Sequence, residues 1–252
     1  MNGRLLLVPN TLDFGVAGEG SALQDVLPLG VVQSAARLTH WVAENAKTAR
    51  AFLKRVDAVT PLAVPLQQMQ IVELPRPAKG GARNAAQDVA ALLAPIAQGH
   101  DLGLISEAGL PAVADPGAAL VAAAHAHGIV VVPLVGPSSL LLALAASGLN
   151  GQSFAFVGYL PVEPAARAAR IRELESSSRR LQQTQLMIET PYRNRALLAA
   201  LLEHLQAGTR LSVSCGLTLT QGFTRSDTVA GWRNATTAVP DDVPAVFALL
   251  GA

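Results

Sequence analysis

The sequence is poor in cysteine and lysine, and neither charge sign dominates it. Its 252 residues include one cysteine, Cys215, so no disulfide can form within the chain, and we expect a reducing, cytoplasmic environment. We expect Cys215 to be a small core residue. The net charge is +1, with 19 basic residues against 18 acidic ones. This balance argues against a protein that coats nucleic acid through a strongly basic surface.

Long apolar segments and metal-ligand clusters are also missing. The longest uncharged stretch, Gly128–Val162, is divided by prolines and glycines into pieces far below the roughly 20 residues that span a membrane. The run Leu5–Val8 is closed by Pro9 and is too short for a secretion signal. The histidines and the cysteine have no ligand spacing. We therefore expect no membrane span and no metal site.

Short apolar segments alternate with helical ones along the first part of the chain. Strands are predicted at Arg4–Val8, Leu38–Ala43, Gln70–Leu74, Asp101–Ser106, Ile129–Pro133 and Ser153–Val157. Helices are predicted between them, among others at Asn45–Arg55, Ala85–Gln98, Pro116–His127 and Ser138–Ser147. This alternation indicates parallel βαβ units with right-handed crossovers. The β-branched run before Pro133 predicts a fully buried strand.

The pattern changes at Gly158, where a second group of elements begins. Two strands, Gln185–Ile188 and Arg210–Ser214, flank a predicted helix. The later segments Leu219–Gly231 and Val243–Leu250 have the character of antiparallel strands. The sequence therefore predicts two α/β domains, residues 1–157 with a mostly parallel sheet and residues 158–252 with a mixed sheet.

Three polar segments that contain proline or glycine follow predicted strands. They are Ser106–Gly117, Val135–Ser139 and Glu189–Arg193. Ligands bind at the carboxyl ends of parallel strands, so these are candidate ligand loops. A purely local explanation stays open for each, because Asp115, Ser138 and Thr190 suit helix N-caps, and Glu189 and Arg193 suit solvated charges.

In their order, these segments resemble the motifs of the tetrapyrrole-methylase superfamily. The matching segments are Ser106-Glu-Ala-Gly-Leu-Pro111 with Ala114-Asp-Pro-Gly117, Val135-Gly-Pro-Ser-Ser139, Ala146-Ser-Gly-Leu149, Phe156-Val-Gly-Tyr-Leu-Pro161 and Glu189-Thr-Pro-Tyr-Arg193. Within the superfamily they are most similar to the enzymes that methylate the ribose 2′-hydroxyl of a cytidine in small-subunit ribosomal RNA, in a short form.

The resemblance implies a homodimer of two-domain chains, with S-adenosylmethionine in a cleft between the domains and no metal. It implies Glu44 as the residue that activates the acceptor, although this glutamate also suits a solvated charge at a helix start. The residues implied to bind the cofactor are Ser106, Glu107, Ala108, Gly109, Val113, Ala114, Asp115, Ser138, Ser139, Glu189, Thr190, Tyr192 and Leu217.

Three segments depart from the family pattern at polar positions that suit acceptor or phosphate contacts. They are Pro9-Asn-Thr-Leu-Asp-Phe-Gly15, Glu44-Asn-Ala-Lys47 and Cys215-Gly-Leu-Thr-Leu219. Three functions therefore stay open: methylation of ribosomal RNA at a ribose hydroxyl, methylation of a small acceptor such as a tetrapyrrole, and cofactor binding without catalysis.

Arginines are concentrated at the predicted helix Pro164–Ser178. They are Arg167, Arg170, Arg172, Arg179 and Arg180. They form either a solvated face, partly paired with Glu163, Glu173 and Glu175, or a surface that contacts RNA phosphates.

Overall fold

The computed structural model describes residues 3–13, 21–75, 89–235 and 238–252. The chain divides into two compact units, Met1–Pro137 and Ser138–Ala252. Each unit has its own five-stranded sheet and its own apolar core.

The sheet of the first unit is wholly parallel. Its strands are β1 (Leu5–Leu7), β2 (His40–Ala43), β3 (Gln70–Glu73), β4 (Leu102–Ile105) and β5 (Val131–Pro133), in the spatial order β3-β2-β4-β1-β5. Because all strands run the same way, the segments that leave their carboxyl ends lie along one edge of the sheet. The candidate ligand loop Ser106–Gly117 leaves β4 at this edge.

Helices cover both faces of this sheet, as the βαβ pattern predicts. They are α1 (Leu23–Val26), α2 (Leu29–Arg37), α3 (Ala46–Asp57), α4 (Ala94–Ala97) and α5 (Ala118–Ala126), with a 3₁₀ turn at Leu66–Gln68. Alternate strand residues point to opposite faces. On one face, Trp41 packs edge-on against Phe52 of α3. On the other, Leu104 packs with Ile96 and Leu120.

Three local predictions for this unit need correction. The segment at β5 is not fully buried: β5 pairs only with β1 at the sheet edge, and Val130 just before it is 59% exposed. Of the helix predicted over Ala85–Gln98, residues 85–88 lie outside the described part, and 89–91 and Ala94–Ala97 are helical. Helix α5 begins at Ala118 with Gly117 as N-cap, so the prediction that Asp115 caps it is wrong.

The second unit has a mixed sheet, as predicted. Its strands are β6 (Phe154–Phe156), β7 (Thr184–Glu189), β8 (Arg210–Cys215), β9 (Phe223–Thr228) and β10 (Ala245–Leu250), in the order β6-β7-β10-β8-β9. Only β6 and β7 pair in parallel. Its helices are α6 (Ser139–Ser147), α7 (Pro164–Leu181), α8 (Asn194–His204) and α9 (Val229–Arg233), with a 3₁₀ turn at Pro191–Arg193.

Helix α6 and strand β6 are part of this second unit. Leu140 and Leu144 of α6 pack on Val246 of β10, and β6 pairs with β7. The units therefore divide between Pro137 and Ser138, ahead of the boundary predicted between residues 157 and 158. In sequence, α6 and β6 continue the alternation of the preceding βαβ units, so the pattern gives no sign of this change of partner.

The longest helix described, α7, has charged residues throughout its length. No helix in the four described ranges is both long enough and apolar enough to cross a membrane. The segment predicted as an extended strand over Leu219–Gly231 is shorter than expected, because β9 ends at Thr228 and α9 follows at once. The hydroxyl of Thr228 accepts a hydrogen bond from the Gly231 N–H and so starts this helix.

Candidate functional site

Asn10 joins the loop that follows β1 to the loop that follows β4. Its backbone N–H donates to the Gly109 carbonyl at 2.9 Å, and its side-chain Nδ2 donates to the Glu107 carbonyl at 2.9 Å. The Gly109 N–H in turn donates to the Thr11 carbonyl at 3.3 Å. Asn10 is buried, so these hydrogen bonds satisfy its polar atoms while they fix the first residues of the β4 loop.

A buried ion pair anchors the β1 loop to α3. Arg55 Nη1 lies 3.0 Å from Asp13 Oδ2 and donates to the Thr11 hydroxyl at 3.1 Å. Arg55 Nη2 donates to the Ser21 carbonyl at 2.7 Å. Arg55 was not predicted from the sequence, because it lies more than 40 positions from Thr11 and Asp13 and only the fold brings them together.

Glu44 and Glu107, two residues selected from the sequence, are in direct contact. Glu44 follows β2, and its Oε2 accepts a hydrogen bond from the Glu107 N–H at 3.1 Å. The Oε1 of Glu107 accepts a hydrogen bond from the Thr48 hydroxyl of α3 at 3.2 Å. Asn45, not Glu44, caps α3 through its side chain. Glu44 is half-buried and bonded to the β4 loop. The alternative interpretation, a solvated charge at the start of a helix, is therefore disfavoured.

Asp115 completes a group of three carboxylates at this edge of the sheet. It is half-buried, and burial together with the charges of Glu44 and Glu107 raises its pKa to about 7. The Ser106 hydroxyl favours the charged form of Asp115 and offsets part of this rise in pKa. Among the residues described, no group of three His, Cys, Asp or Glu side chains has the arrangement of a metal site, this one included.

The Ser106 hydroxyl is a polar atom without a close partner. Ser106 is 3% exposed, and its Oγ completes no hydrogen bond of normal geometry, although it lies near enough to Asp115 to influence that carboxylate. Buried polar atoms are nearly always hydrogen-bonded. The exception therefore marks a position where a ligand atom or an ordered water is expected.

The backbone of the β4 loop is strained. Besides Gly109 and Gly117, two alanines adopt left-handed conformations, Ala112 with φ +66° and Ala114 with φ +64°. Such a conformation costs a non-glycine residue about 1–2 kcal/mol, and it clusters at functional sites. The loop buries Ala108 and exposes Ala114 and Val113, so its outer turn faces solvent.

The loop after β5 lies against the loop after β1. A Cβ added to Gly136 would lie 2.2 Å from the Cβ of Pro9, so only glycine permits this approach. The Leu134 N–H donates to the Leu7 carbonyl at 3.0 Å and continues the pairing of the two strands. The first unit thus brings the segments after β1, β2, β4 and β5 together, with Glu44, Ser106, Glu107 and Asp115 among them.

In the second unit, Glu189 and Arg193 form a buried ion pair instead of solvated charges. Arg193 Nη2 donates to both carboxylate oxygens of Glu189, at 2.7 and 2.8 Å. The Glu189 side chain is 2% exposed, and its hydrogen bond raises the pKa of Arg193. Thr190 occupies the N-cap position before Pro191, but its hydroxyl donates to Glu189 and does not cap the turn. Tyr192 is 74% exposed.

Ser138, Ser139 and Leu217 stand at other positions of the second unit. Ser138 is the N-cap residue of α6, yet its side chain makes no capping hydrogen bond, and Ser139 begins the helix. Leu217 lies in the turn between β8 and β9 and packs against the cluster that includes Leu144 of α6. The second unit thus places Leu217 on the α6 cluster, while Glu189, Thr190 and Tyr192 follow β7.

The arginines of α7 are only partly engaged. Arg170 pairs with Glu173 at 2.7 Å, and Glu163 caps the helix through its carboxylate. Glu175 is buried and accepts hydrogen bonds from the Gln206 N–H and the Thr209 hydroxyl, so it is not available for the pairing predicted on a solvated face. Arg172 and Arg180 are exposed.

Several sequence relatives of the chain share one name. The ribosomal RNA small subunit methyltransferase I of Mesorhizobium japonicum is 38% identical over 146 residues, which cover 58% of this chain and 48% of that protein. The protein of the same name from Xylella fastidiosa is 48% identical over 83 residues, or 33% of this chain and 30% of that one. The chain thus spans less than half of the length of either relative. No family model matches it.

Solved structures match over nearly the whole chain. The methyltransferase CobJ superposes with a TM-score of 0.58 at 17% identity, covering 99% of this chain and 95% of that one. The uroporphyrin-III C-methyltransferase of Thermus thermophilus has a TM-score of 0.55 at 17% identity, covering 98% and 97%. At this identity the likeness shows the fold alone. The chain has the fold of these tetrapyrrole methyltransferases, as the predicted resemblance implied, and the predicted class of two α/β domains is confirmed.

Proposed function

We propose that the chain is a methyltransferase that uses S-adenosylmethionine, and that the loops after β1, β2, β4 and β5 hold this cofactor. The β4 loop is the observation that carries the proposal. Its strained turn at Ala112 and Ala114 and the partnerless Ser106 hydroxyl stand beside three carboxylates. The names of the sequence relatives support the same activity.

The residues of the first unit fit this cofactor chemically. S-adenosylmethionine has two cationic groups, a sulfonium and an ammonium, and the carboxylates of Glu44, Glu107 and Asp115 favour such charges. The Ser106 hydroxyl offers one further hydrogen bond. Ala108, Gly109, Val113 and Ala114 belong to the same loop and are proposed to contact the cofactor through backbone and small side chains.

The cofactor contacts proposed in the second unit are those predicted from the motifs. They involve Ser138, Ser139, Glu189, Thr190, Tyr192 and Leu217. The Ser138 hydroxyl makes no capping hydrogen bond to α6, so it is free to bind the cofactor, and this supports the proposed contact. Glu189 is already neutralised by Arg193, so it supports its loop more than it offers charge to a ligand.

Bound S-adenosylmethionine supplies an electrophilic methyl group. The chain then has to align an acceptor hydroxyl with that methyl and accept its proton, and most of the rate comes from this alignment. We assign the proton transfer to Glu44. Its carboxylate is half-buried at the sheet edge, and one of its oxygens is already held by the Glu107 N–H at 3.1 Å.

A ribose hydroxyl of ribosomal RNA is the acceptor we propose. The sequence relatives are named for ribosomal RNA of the small subunit, and Arg172 and Arg180 are exposed cations on α7 that suit phosphate contacts. A cytoplasmic homodimer is part of the same proposal. The fold of a uroporphyrin-III C-methyltransferase favours a second candidate, a small acceptor such as a tetrapyrrole.

Calorimetric titration with S-adenosylmethionine and S-adenosylhomocysteine tests the proposal first. We expect each to bind at one per chain; binding of neither would contradict it. Methyl transfer is then measured with labelled donor, on small ribosomal subunits lacking the methyl group and, separately, on a small-molecule extract. Label in the RNA, with binding that weakens steeply as salt rises, supports the first acceptor. Label only in the extract supports the second, and binding without transfer to either would leave a cofactor-binding protein.

A further inference from the structure

Three carboxylates lie together at the carboxyl edge of the first sheet, and no cation among the described residues pairs with them. Glu44 comes from the end of β2, and Glu107 and Asp115 come from the two ends of the β4 loop. Glu44 accepts a hydrogen bond from the Glu107 backbone N–H, Glu107 accepts one from the Thr48 hydroxyl, and the Ser106 hydroxyl lies near enough to Asp115 to influence it. Within the described residues, none of the three carboxylates forms an ion pair.

Asp115 is the member of this group whose presence the predicted helix cap does not explain. Gly117 and not Asp115 is the N-cap of α5, so helix capping does not explain the aspartate. The Ser106 hydroxyl beside it is buried and completes no normal hydrogen bond. A carboxylate cluster beside a buried hydroxyl without a hydrogen bond is typical of a ligand-binding site. A ligand that balances the charge of these carboxylates has to be cationic.

We propose that Asp115 distinguishes the methyl donor, which has a sulfonium charge, from the product, which has lost that charge, and that it holds the proton released by methyl transfer. The inference rests on the proposed function. Of the titratable groups, Glu44 and Glu107 are the ones that act on Asp115, and both favour its protonated form. A sulfonium nearby has the opposite effect, because a positive charge within about 4–6 Å favours the carboxylate.

The proton balance of the reaction follows from this arrangement. When S-adenosylmethionine binds, Asp115 loses its proton to solvent. In the transfer step, the bond between carbon and acceptor oxygen forms and the carbon–sulfur bond breaks, with its electron pair left on sulfur. The hydroxyl proton passes to the carboxylate cluster. Because the sulfonium charge has disappeared, Asp115 takes up the proton and holds it until product leaves.

Proton release on binding is the measurement that tests the inference. The wild-type protein is titrated with S-adenosylmethionine and with S-adenosylhomocysteine in pairs of buffers that differ in ionisation enthalpy. At pH 7 we expect the donor to release about 0.4 proton more than the product, with a maximum of about half a proton near pH 6.5 and little difference at pH 5 or pH 8. The α-ammonium group is common to both ligands, so the difference between them isolates the sulfonium.

Two variants sharpen this test. In Asp115→Asn the difference in proton release should disappear, and the ratio of donor affinity to product affinity should fall by about tenfold, as expected for one pKa unit of coupling. Asp101→Asn is the matched control, because it makes the same change at the opposite end of β4, where Asp101 pairs with the exposed Arg4. That variant should keep both the proton release and the affinity ratio of the wild type.

The outcomes separate the inference from the proposed function. Equal proton release with both ligands at every pH, while both bind, would refute the role of Asp115 and leave the methyltransferase proposal intact. A release that persists in Asp115→Asn would assign the proton to another group and also refute it. Failure of both ligands to bind would overturn the proposed function and the inference together. The wild-type measurement stands even if the variant does not fold.

Discussion

The side chain of Glu44 accepts a hydrogen bond from the backbone N–H of Glu107 at 3.1 Å. This contact ties the end of β2 to the loop after β4, and every substitution at position 107 except proline keeps the backbone donor. The Glu107 N–H bonds to only one of the two carboxylate oxygens of Glu44, Oε2. The arrangement allows the charge of Glu44 to be removed while the contact is kept.

Glu44→Gln makes that change, because the amide oxygen still accepts from the Glu107 N–H. If Glu44 takes the acceptor proton, turnover should fall by about 10²- to 10⁴-fold, while the affinity for S-adenosylhomocysteine changes only a few-fold. Single-turnover methyl transfer and calorimetry give the two values. Glu73→Gln is the control, since Glu73 accepts from the Ala46 N–H at 2.8 Å beside the neighbouring strand. Unchanged turnover in Glu44→Gln would exclude Glu44 as the base.

Asp115 should make the stability of the protein depend on pH in an unusual direction. Folding raises its pKa from 3.8 to about 7, so between these values the native state binds more protons than the unfolded state. Stability is therefore lost as the pH rises through this window. The melting temperature of Asp115→Asn relative to wild type should increase from pH 4 to pH 7 and then stay constant.

Asp101→Asn should behave in the opposite way. The hydrogen bond from Arg4 lowers the pKa of Asp101, so this carboxylate contributes stability above its unfolded pKa that is lost as the pH falls. Its replacement should lower the melting temperature slightly at pH 7 and leave it unchanged in strong acid. Parallel melting curves for the two variants across pH would contradict the environment assigned to Asp115.

The elements of both sheets follow from the alternation of apolar and polar segments, but their partners do not. The predicted segment before Pro133 is apolar and β-branched, which is typical of a central strand, yet β5 lies at an edge. Helix α6 and strand β6 look like one more βαβ repeat, and only their contacts with β10 and β7 assign them to the second unit. Periodicity describes one element at a time and contains no information about which sheet receives it.

Part of the candidate site could be selected from the sequence motifs, and its role stays a prediction. Glu44, Ser106, Glu107 and Asp115 were all found from motifs, and the fold brings them together. Arg55 was missed, and Asn10, Thr11 and Asp13 were noted only as parts of a segment that departs from the family pattern. The hydrogen bonds of Arg55 to Thr11 and Asp13 join residues more than 40 positions apart, which no local pattern reveals.

Replacing Arg193 by alanine should lower the free energy of unfolding far more than replacing the nearby Arg195. Arg193→Ala would leave the carboxylate of Glu189 buried without its partner, and we expect a loss of about 3 kcal/mol in the free energy of unfolding. Arg195→Ala is the matched control, because Arg195 and Asp241 are 66% and 53% exposed, and such pairs contribute about 0–1 kcal/mol. Equal losses in chemical denaturation would show that Glu189 is not held as described.

Replacement by alanine should have opposite effects on stability at two glycines of the first unit. A Cβ at Gly136 would overlap Pro9, so Gly136→Ala should separate the loops after β1 and β5, destabilise the protein and weaken cofactor binding. Gly30 lies in α2 with nothing within 4 Å of an added Cβ, so Gly30→Ala should be neutral or stabilise by up to about 1 kcal/mol. Urea denaturation of both variants, with calorimetry of donor binding, checks the pair.

Cys215 should be unreactive in the folded protein. The residue is 1% exposed in the core of the second unit, and burial raises the pKa of its thiol to about 12. Thiolate is the reactive form, so a thiol reagent at pH 8 should label the native protein far more slowly than the unfolded one. Rapid labelling of the native protein, followed by mass spectrometry, would place Cys215 outside the core.

The two left-handed alanines of the β4 loop have a consequence for how fast a ligand associates. Hydrogen bonds from Asn10 and the β-pairing around the loop maintain its shape at the expense of overall stability. A ligand that meets this surface has no loop left to order, so little conformational entropy is lost at the moment of binding. Association should then be governed by diffusion and charge attraction. Its rate should fall as the ionic strength rises, and no slow rearrangement of the protein should limit it.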